Sequence, residues 1–232
     1  MLFEKQHLGD CENPFLIFLN IERIFTMKNL NIRNEKKEDF RAVENLIRES
    51  FWNVYRPGCL EHYVIHKLRD DKDFIPELNF VMEQNGEIIG QIAFVRGHIT
   101  ADNGTLVPVS AMGPICISPK LQRQGYGKIL LDFALKEAKK LGIKTVCLEG
   151  NIDFYSKCGF ELASNKGLRY HGMPEGVDAP FFLCNELEKD YLKDITGEYA
   201  PPSGYLVDEN EAEEFDKAFP PKEKKVLPTQ LF

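Results

Sequence analysis

The sequence lacks the features of a protein that spans a membrane or coats a nucleic acid. No apolar run approaches the roughly 20 residues that a membrane-spanning helix needs. The short apolar run at 14–19 follows acidic rather than basic residues, unlike the core of a signal peptide. The net charge of the 232 residues is −7, whereas surfaces that bind nucleic acid are basic. We therefore expect neither a membrane nor a nucleic acid as a partner.

The six cysteines lack the paired spacing of a zinc site, and no histidine cluster accompanies them. Three of them lie in apolar runs that indicate buried strands: Cys116, Cys147 and Cys184. A thiol in such a position acts as a small hydrophobic group. Unpaired thiols are typical of a reducing compartment, so we predict a cytoplasmic protein.

One helical pattern resembles a set of metal ligands but does not meet the requirements of a known motif. His62, His66 and Asp70 recur four residues apart and so share one face of a predicted helix. The HExxH motif of zinc proteases would need a glutamate after the first histidine, and Tyr63 stands there. A polar helix face explains the pattern, and we predict no metal.

The remaining composition is that of an ordinary globular protein, with 43% hydrophobic and 28% charged residues. Met27 shortly precedes the first predicted strand, and we take it as the beginning of the working domain. We therefore divide the chain into an N-terminal extension at 1–26, a working domain at 27–190 and an acidic, proline-rich C-terminal tail at 191–232. The tail includes a candidate acidic helix at 208–215.

Apolar periodicity predicts a mixed α/β fold with a mostly antiparallel sheet. The predicted order is a strand at 30–33, helices at 38–50 and 60–68, strands at 78–83, 88–95 and 106–117, a long helix at 126–141, a strand at 145–148, a short helix at 151–158, and strands at 160–162 and 180–184. Asn85-Gly86 indicates a hairpin. The crossover through the long helix makes 106–117 and 145–148 a parallel pair, and 164–179 is predicted to be a loop.

A glycine loop follows the strand at 106–117 and opens directly into the long helix. Its pattern is Gln122-x-x-Gly125-x-Gly127. Helix N-termini carry unpaired N–H groups and partial positive charge, and glycine lets an anion approach the backbone closely. A Rossmann loop would need a third glycine where Leu130 stands, and the P-loop pattern fails at Ile129. The loop therefore predicts an anion site without a common nucleotide fingerprint.

A second motif follows about thirty residues later, Asn151-x-x-Phe154-Tyr155-x-x-x-Gly159-Phe160. Together the two motifs resemble the GNAT superfamily of acyl-CoA-dependent N-acetyltransferases, over residues 30–187. The run 149–151 and the segment 215–224 are similar to its YhbS-like branch. The resemblance implies a GNAT fold whose central parallel pair is splayed at a bulge within 111–117. It also implies acetyl-CoA as a cosubstrate, and it allows a homodimer.

The resemblance further implies which residues bind acetyl-CoA. The splayed strand leaves backbone groups free for the pantetheine arm, at Ile115, Cys116 and Ile117. The pyrophosphate would rest on the glycine loop, formed by Gln122, Arg123, Gln124, Gly125, Tyr126, Gly127 and Lys128. Asn151 would bond the pantetheine amide or cap the short helix, and the two roles are compatible.

Tyr155 occupies the position at which many family members carry a general acid that protonates the departing thiolate. A phenol keeps its proton at neutral pH and can donate it; the alternative is that Tyr155 only packs against the cleft. The general base is open between Glu83, Glu149 and His98, each of which also has a structural explanation. Deprotonation through a chain of water molecules is a further alternative.

These expectations describe an enzyme that transfers acetyl from acetyl-CoA to a primary amine by direct attack in a ternary complex. Cys116 and Cys158 are conceivable acyl acceptors for a covalent route, although Cys116 fits the core better. Two alternatives stay open: a non-catalytic acyl-CoA sensor on the same fold, and a transferase for protein or peptide amines. The sequence does not name the acceptor.

Overall fold

The sheet at the centre of the molecule has nine strands in the computed structural model, which describes residues 29–174 and 176–230. The strands are β1 (Leu30–Asn34), β2 (Phe80–Gln84), β3 (Glu87–Ala101), β4 (Leu106–Ile117), β5 (Thr145–Glu149), β6 (Glu161–Leu162), β7 (Leu168–Tyr170), β8 (Phe182–Glu186) and β9 (Gly197–Tyr199). The α-helices are α1 (Phe40–Phe51), α2 (Glu61–Leu68), α3 (Tyr126–Lys140), α4 (Ile152–Tyr155) and α5 (Glu209–Asp216). The extension predicted at 1–26 lies outside the described residues.

The strand order is β1-β2-β3-β4-β5-β8-β6, with β9 paired to the far end of β3 and β7 paired to β9. Neighbours are antiparallel except for β4 with β5 and β7 with β9. The mixed α/β fold with a mostly antiparallel, open sheet is thereby confirmed. The loop expected at 164–179 was wrong in one respect, because it contains β7, whose three residues are too short to show a strand pattern.

The central parallel pair is splayed, as expected. In the ladder with β3, Ile92 faces Ile115 while Phe94 faces Met112, so β4 carries one residue more than its partner and bulges there. On the other side, the described ladder between β4 and β5 consists of Ser110 with Val146 and Ala111 with Cys147. Past the bulge the two strands diverge, and a gap opens between them. We call this opening the gap.

Helices cover both faces of the sheet and bury its apolar side chains. On one face, α3 packs Leu130, Leu131 and Ala134 against residues of β2, β3 and β5. On the other, α1 and α2 pack against β2 and β3 through side chains such as Ile47 and Ile65, which are fully buried. Burial of both layers is the main favourable contribution to folding, and it fixes the helix ends that border the gap.

Residues 191–230, which belong to the tail that the sequence sets apart at 191–232, take part in this packing. Its strand β9 pairs with β3 at Ile99–Ala101, and its helix α5 docks on α1 and α2. The acidic helix predicted at 208–215 is confirmed as α5, capped by the Asp208 side chain, which accepts from the N–H groups of Asn210 and Glu211.

Candidate active site

The glycine loop leads from β4 through a turn at Pro119–Leu121 into α3, as the sequence predicts. Gly125 precedes the helix with φ +95°, a left-handed conformation that glycine adopts without strain. No side chain caps this helix end within the described residues. The N–H groups of Tyr126, Gly127 and Lys128 therefore remain without intrahelical acceptors and can receive an anion.

Most polar side chains of the loop form hydrogen bonds or ion pairs with nearby residues and so stabilise the conformation of the loop. Gln122 donates from Nε2 to the carbonyl oxygen of Ile117 at 3.1 Å, and Gln124 donates to that of Lys120 at 3.2 Å. Lys128 is paired with Asp132 one turn on, at 2.6 Å. Arg123 is exposed, with a left-handed φ of +61°. The backbone N–H groups, rather than these side chains, are therefore the groups of the loop that are available to an anion.

The edge of β4 that faces the gap carries backbone groups that are not paired with β3 at alternate residues. The N–H of Ser118 donates to the carbonyl oxygen of Ile89 in β3 at 2.8 Å. Backbone direction alternates along an antiparallel pair, so Cys116 also points its groups towards β3, whereas Ile115 and Ile117 point theirs into the gap. The carbonyl of Ile117 accepts from Ser50 Oγ at 3.2 Å and from Gln122.

Gly127 brings the loop, the strand edge and α4 together. A Cβ placed on this glycine would lie 3.4 Å from Cζ of Phe154 and 3.8 Å from Cγ1 of Ile117. The first turn of α3 therefore lies between the free edge of β4 and the residue before Tyr155. The predicted anion site and the predicted acid border the same gap.

Tyr155 ends α4, the short helix that Asn151 caps. The side-chain oxygen of Asn151 accepts from the N–H of Asp153 at 2.8 Å, so its predicted capping role is confirmed. The Tyr155 ring packs edge-on against Phe154 and Phe160, with centroids 4.9 and 5.6 Å away. These contacts leave the ring one orientation beside β5.

Gly150 is a site residue that the sequence analysis missed. A Cβ at this position would lie 2.4 Å from Cε2 of Tyr155 and 3.0 Å from Cδ1 of Leu148, so a side chain would displace the ring. The signal was present in the run 149–151, where a glycine separates a strand end from a helix cap. Glycine is required at position 150 because the ring of Tyr155 folds back over it, and the sequence alone does not show this contact.

The environment of Tyr155 keeps its proton in place. Burial raises the pKa of its hydroxyl above the ordinary value of a tyrosine, and the nearby Tyr55 and Cys158 raise that pKa further. The phenol therefore stays protonated throughout the neutral and mildly alkaline range and is a proton donor rather than an acceptor.

Glu149, at the end of β5, has an exposed carboxylate on the other side of the gap. Its Oε1 accepts a 2.6 Å hydrogen bond from the hydroxyl of Tyr170 in β7. Burial raises the pKa of Tyr170, and the bond to Glu149 raises it further, so this hydroxyl donates. The charge of Glu149 also raises the pKa of Tyr205, whose hydroxyl contacts the bulge of β4 at Gly113. Glu149 and Gly113 each lie two residues past the parallel pair of Cys147 with Ala111, so Glu149 is level with the bulge.

The other two candidate bases have structural partners or lie apart. Glu83 in β2 accepts from Arg33 Nε and from Asn31 Nδ2, both at 3.0 Å, and these bonds hold its pKa below the ordinary value. A carboxylate held in this ion pair is a poor proton acceptor at neutral pH. His98 is exposed on β3, opposite Pro108.

Three tyrosines near Glu149 were also missed: Tyr170, Tyr199 and Tyr205. Tyr170 packs against Phe181 at 5.1 Å, and Tyr199 stacks on Phe182 at 4.8 Å. These side chains come from segments that the sequence shows as loop or tail. Aromatic residues in an otherwise proline-rich stretch were the available signal, but nothing local ties them to β5.

Within residues 29–174 and 176–230, no three His, Cys, Asp or Glu side chains are grouped so that they could hold a metal ion. His62 is buried 3.0 Å from Asp216, whereas His66 contacts Glu44, also at 3.0 Å. A search of the same ranges finds no helix that is long and apolar enough to cross a bilayer.

Comparison with known proteins gives a family match across these motifs. A family model described as Acetyltransferase (GNAT) family matches residues 43–160. The uncharacterized N-acetyltransferase YhbS of Escherichia coli K12 is 28% identical over 166 residues, which are 72% of this chain and 92% of that protein. The crystal structure of YhbS from Escherichia coli in complex with CoA superposes with a TM-score of 0.66 at 26% identity, over 76% of this chain and 92% of that one. The [ribosomal protein bS18]-alanine N-acetyltransferase of Escherichia coli K12 is 32% identical over 93 residues, which are 38% of this chain and 57% of that protein.

Proposed function

The chain belongs to the GNAT acetyltransferase family, and from that premise we propose that it transfers an acetyl group from acetyl-CoA to a primary amine by direct attack in a ternary complex. One observation carries the proposal. A single gap is bordered by an uncapped helix N-terminus, a free strand edge, a protonated tyrosine and an exposed carboxylate. Each is a group that acyl transfer from a CoA thioester requires.

The residues around the gap fit the two polar parts of CoA. The N–H groups of 125–128 would receive the pyrophosphate, and Gly127 leaves room for its approach. The backbone of Ile115 and the N–H of Ile117 would pair with the pantetheine amides, as an added strand does, while Cys116 between them holds β4 to β3. Arg123 would add an exposed charge of small effect.

Tyr155 would act as the general acid. When the amine nitrogen forms its bond to the carbonyl carbon, the bond from that carbon to sulfur breaks and the thiolate takes the phenolic proton. Because the pKa of Tyr155 is raised, the phenol carries this proton at neutral pH. Asn151 and Gly150 act indirectly, since one caps the helix that ends in Tyr155 and the other admits its ring.

Glu149 would act as the general base. Its carboxylate is exposed at the open end of β5 and can take the proton of the incoming amine directly or through a water molecule. Tyr170 orients the carboxylate by donating to one of its oxygens, which leaves the other free. Of the carboxylates considered, Glu149 lies beside the bulge and Glu83 is held by Arg33.

The thiols near the gap do not favour a covalent route. Burial raises the pKa of Cys116 to about 12 and also raises that of Cys158 above its ordinary value. A thiol that keeps its proton is a weak nucleophile. We therefore propose that C158A keeps full turnover. The free thiols of the described chain also support our assignment to the reducing cytoplasm.

The proposal is tested by mixing acetyl-CoA with a panel of small amines, polyamines, amino acids and peptides and measuring free thiol. Calorimetry measures CoA binding in parallel. We expect CoA to bind and at least one amine to release thiol.

Y155F should lower kcat by about 100-fold with an unchanged CoA Kd, and the matched control Y191F should leave both unchanged. CoA binding without thiol release from any amine would identify a sensor, and turnover of peptides alone would identify a protein acetyltransferase. Absence of CoA binding would overturn the assignment.

A further inference from the structure

The C-terminal segment beyond α5 is anchored by a buried ion pair. Arg48 in α1 is 1% exposed and contacts the carboxylate of Asp216 through Nε at 2.6 Å and through its terminal nitrogen at 3.0 Å. The ring of Phe219, itself buried, lies beneath the guanidinium groups of Arg41 and Arg48. The chain that follows is thereby directed along the end of α1.

From there the segment builds the loop at 52–58 that joins α1 to α2. Trp52 donates from its indole nitrogen to the carbonyl oxygen of Glu223 at 2.9 Å, and Asn53 donates from Nδ2 to the same oxygen at 3.0 Å. The side-chain oxygen of Asn53 accepts from the backbone N–H of Lys225, also at 3.0 Å. The segment thus satisfies polar groups of the loop much as a neighbouring strand would.

Two further contacts complete this attachment. Gln230 donates from Nε2 to the carbonyl oxygen of Asn53 at 3.1 Å and to that of Lys225 at 2.9 Å. The aliphatic part of Lys224 covers Gly58, since a Cβ on that glycine would lie 3.1 Å from Cε of Lys224. Asn53 itself has a left-handed φ of +61°. The conformation of the loop is therefore set by residues about 170 positions later in the chain.

The loop begins next to the gap. Ser50, in the last turn of α1, donates to the carbonyl oxygen of Ile117 on the free edge of β4. Tyr55, in the middle of the loop, is 43% exposed, and its ring packs 6.1 Å from that of Phe51. Tyr55 is also among the groups that raise the pKa of Tyr155, which agrees with a loop that follows α1 towards the gap.

We propose that residues 218–230 are a positioning element of the acceptor site. They hold the loop at 52–58, which follows the contact of Ser50 with β4 and exposes Tyr55, and they thereby set the path by which an amine reaches the thioester carbonyl. The inference rests on the acetyl transfer proposed above. It assigns to the C-terminal segment an effect on the acceptor and none on CoA, because the hydrogen bonds and ion pairs described for this segment join it to the loop, α1 and α5 rather than to the glycine turn or to β4.

The backbone N–H of Lys225 offers a matched test. K225P removes this donor, whereas K225A keeps it and removes the exposed pair with Glu223. Trp52 is the single tryptophan of the chain and donates to the segment, so its emission and acrylamide quenching report whether the segment is seated. In K225P we expect stronger quenching, an unchanged CoA Kd, and kcat/KM for the fastest amine of the panel lowered about 10- to 100-fold. K225A should match the unmodified chain.

A cycle with Tyr55 separates positioning from general destabilisation. If the segment acts through the loop, Y55A should lower kcat/KM strongly in the unmodified chain and little further in K225P. Losses that multiply would overturn the proposal. So would equal kcat/KM in K225P and K225A, or unchanged Trp52 quenching in both K225P and Q230A. Q230A also replaces K225P if the proline variant fails to fold by circular dichroism. Thiol release that is absent from the unmodified chain would remove the proposed function itself and this inference with it.

Discussion

The hydroxyl of Tyr205 donates a 2.9 Å hydrogen bond to the carbonyl oxygen of Gly113, in the bulge of β4. Burial raises the pKa of Tyr205, and the charge of Glu149 raises it further, so the hydroxyl keeps its proton and donates. The segment that follows β9 therefore holds the point at which β4 leaves β5. The opening of the gap depends on a residue that lies 92 positions from the bulge.

We expect Y205F to destabilise the protein by about 1–3 kcal/mol, because the variant leaves a carbonyl oxygen at the bulge without its donor. Urea unfolding measures the change in free energy. Y191F is the matched control, since Tyr191 donates at 3.0 Å to the carbonyl oxygen of Pro108 on the same strand but at an exposed position. Its cost should stay within about 0.5 kcal/mol. Equal costs in the two variants would show that the bond to Gly113 contributes nothing to the bulge.

Local signals explain why much of the fold was predictable. Asn85 and Gly86 both have positive φ angles in the turn between β2 and β3, as a hairpin of this sequence requires. Gly125 precedes α3 for a similarly local reason. The pairing of β9 with β3 and the contact between Tyr205 and Gly113 join residues about 90 positions or more apart. No periodicity within one segment encodes such pairs.

The candidate site likewise combines local motifs, which the sequence predicts, with contacts between distant residues, which it does not predict. The glycine loop and the motif around Tyr155 are short, contiguous patterns, and their elements form where the sequence places them. The sequence alone left the identity of the general base open, because the partners of the candidate carboxylates are distant in sequence. Glu83 is held by Arg33, fifty residues earlier, and Glu149 is oriented by Tyr170, twenty-one residues later. The attachment of the 52–58 loop to Glu223 and Lys225 is equally invisible to local analysis.

For G127A we expect effects of opposite sign on stability and on CoA binding. Alanine is favoured over glycine inside a helix by about 0.5–1 kcal/mol, and the added Cβ would meet its nearest neighbour, Phe154, at an ordinary contact distance of 3.4 Å. The fold should therefore be slightly more stable in urea. The methyl group would occupy space at the turn proposed for the pyrophosphate, so the CoA Kd should rise about tenfold.

Two comparisons make the G127A result specific. Acetyl-pantetheine lacks the pyrophosphate, and its affinity should be the same for both proteins. G125A should instead lower stability, because Gly125 has φ +95° and alanine is strained there. A CoA Kd that does not change in G127A would mean that the pyrophosphate binds elsewhere.

The buried imidazole of His62 should make stability fall in mild acid. Burial lowers its pKa from the ordinary 6.5 to about 4; the charge of Arg48 acts in the same direction, and the carboxylates of Asp216 and Glu44 oppose it. As pH falls below 6.5, His62 takes up a proton in the unfolded chain but not in the folded protein. The free energy of unfolding therefore decreases until about pH 4, where the folded protein also takes up the proton. Above pH 6.5 the group has no effect. Between pH 7.5 and 5 the contribution is a loss of about 2 kcal/mol.

H62Q should remove this part of the loss, while H98Q, at an exposed position, should keep it. Urea unfolding at the two pH values measures the difference, and equal losses in the unmodified chain and in H62Q would show that the pKa of His62 is the same in the folded and the unfolded chain.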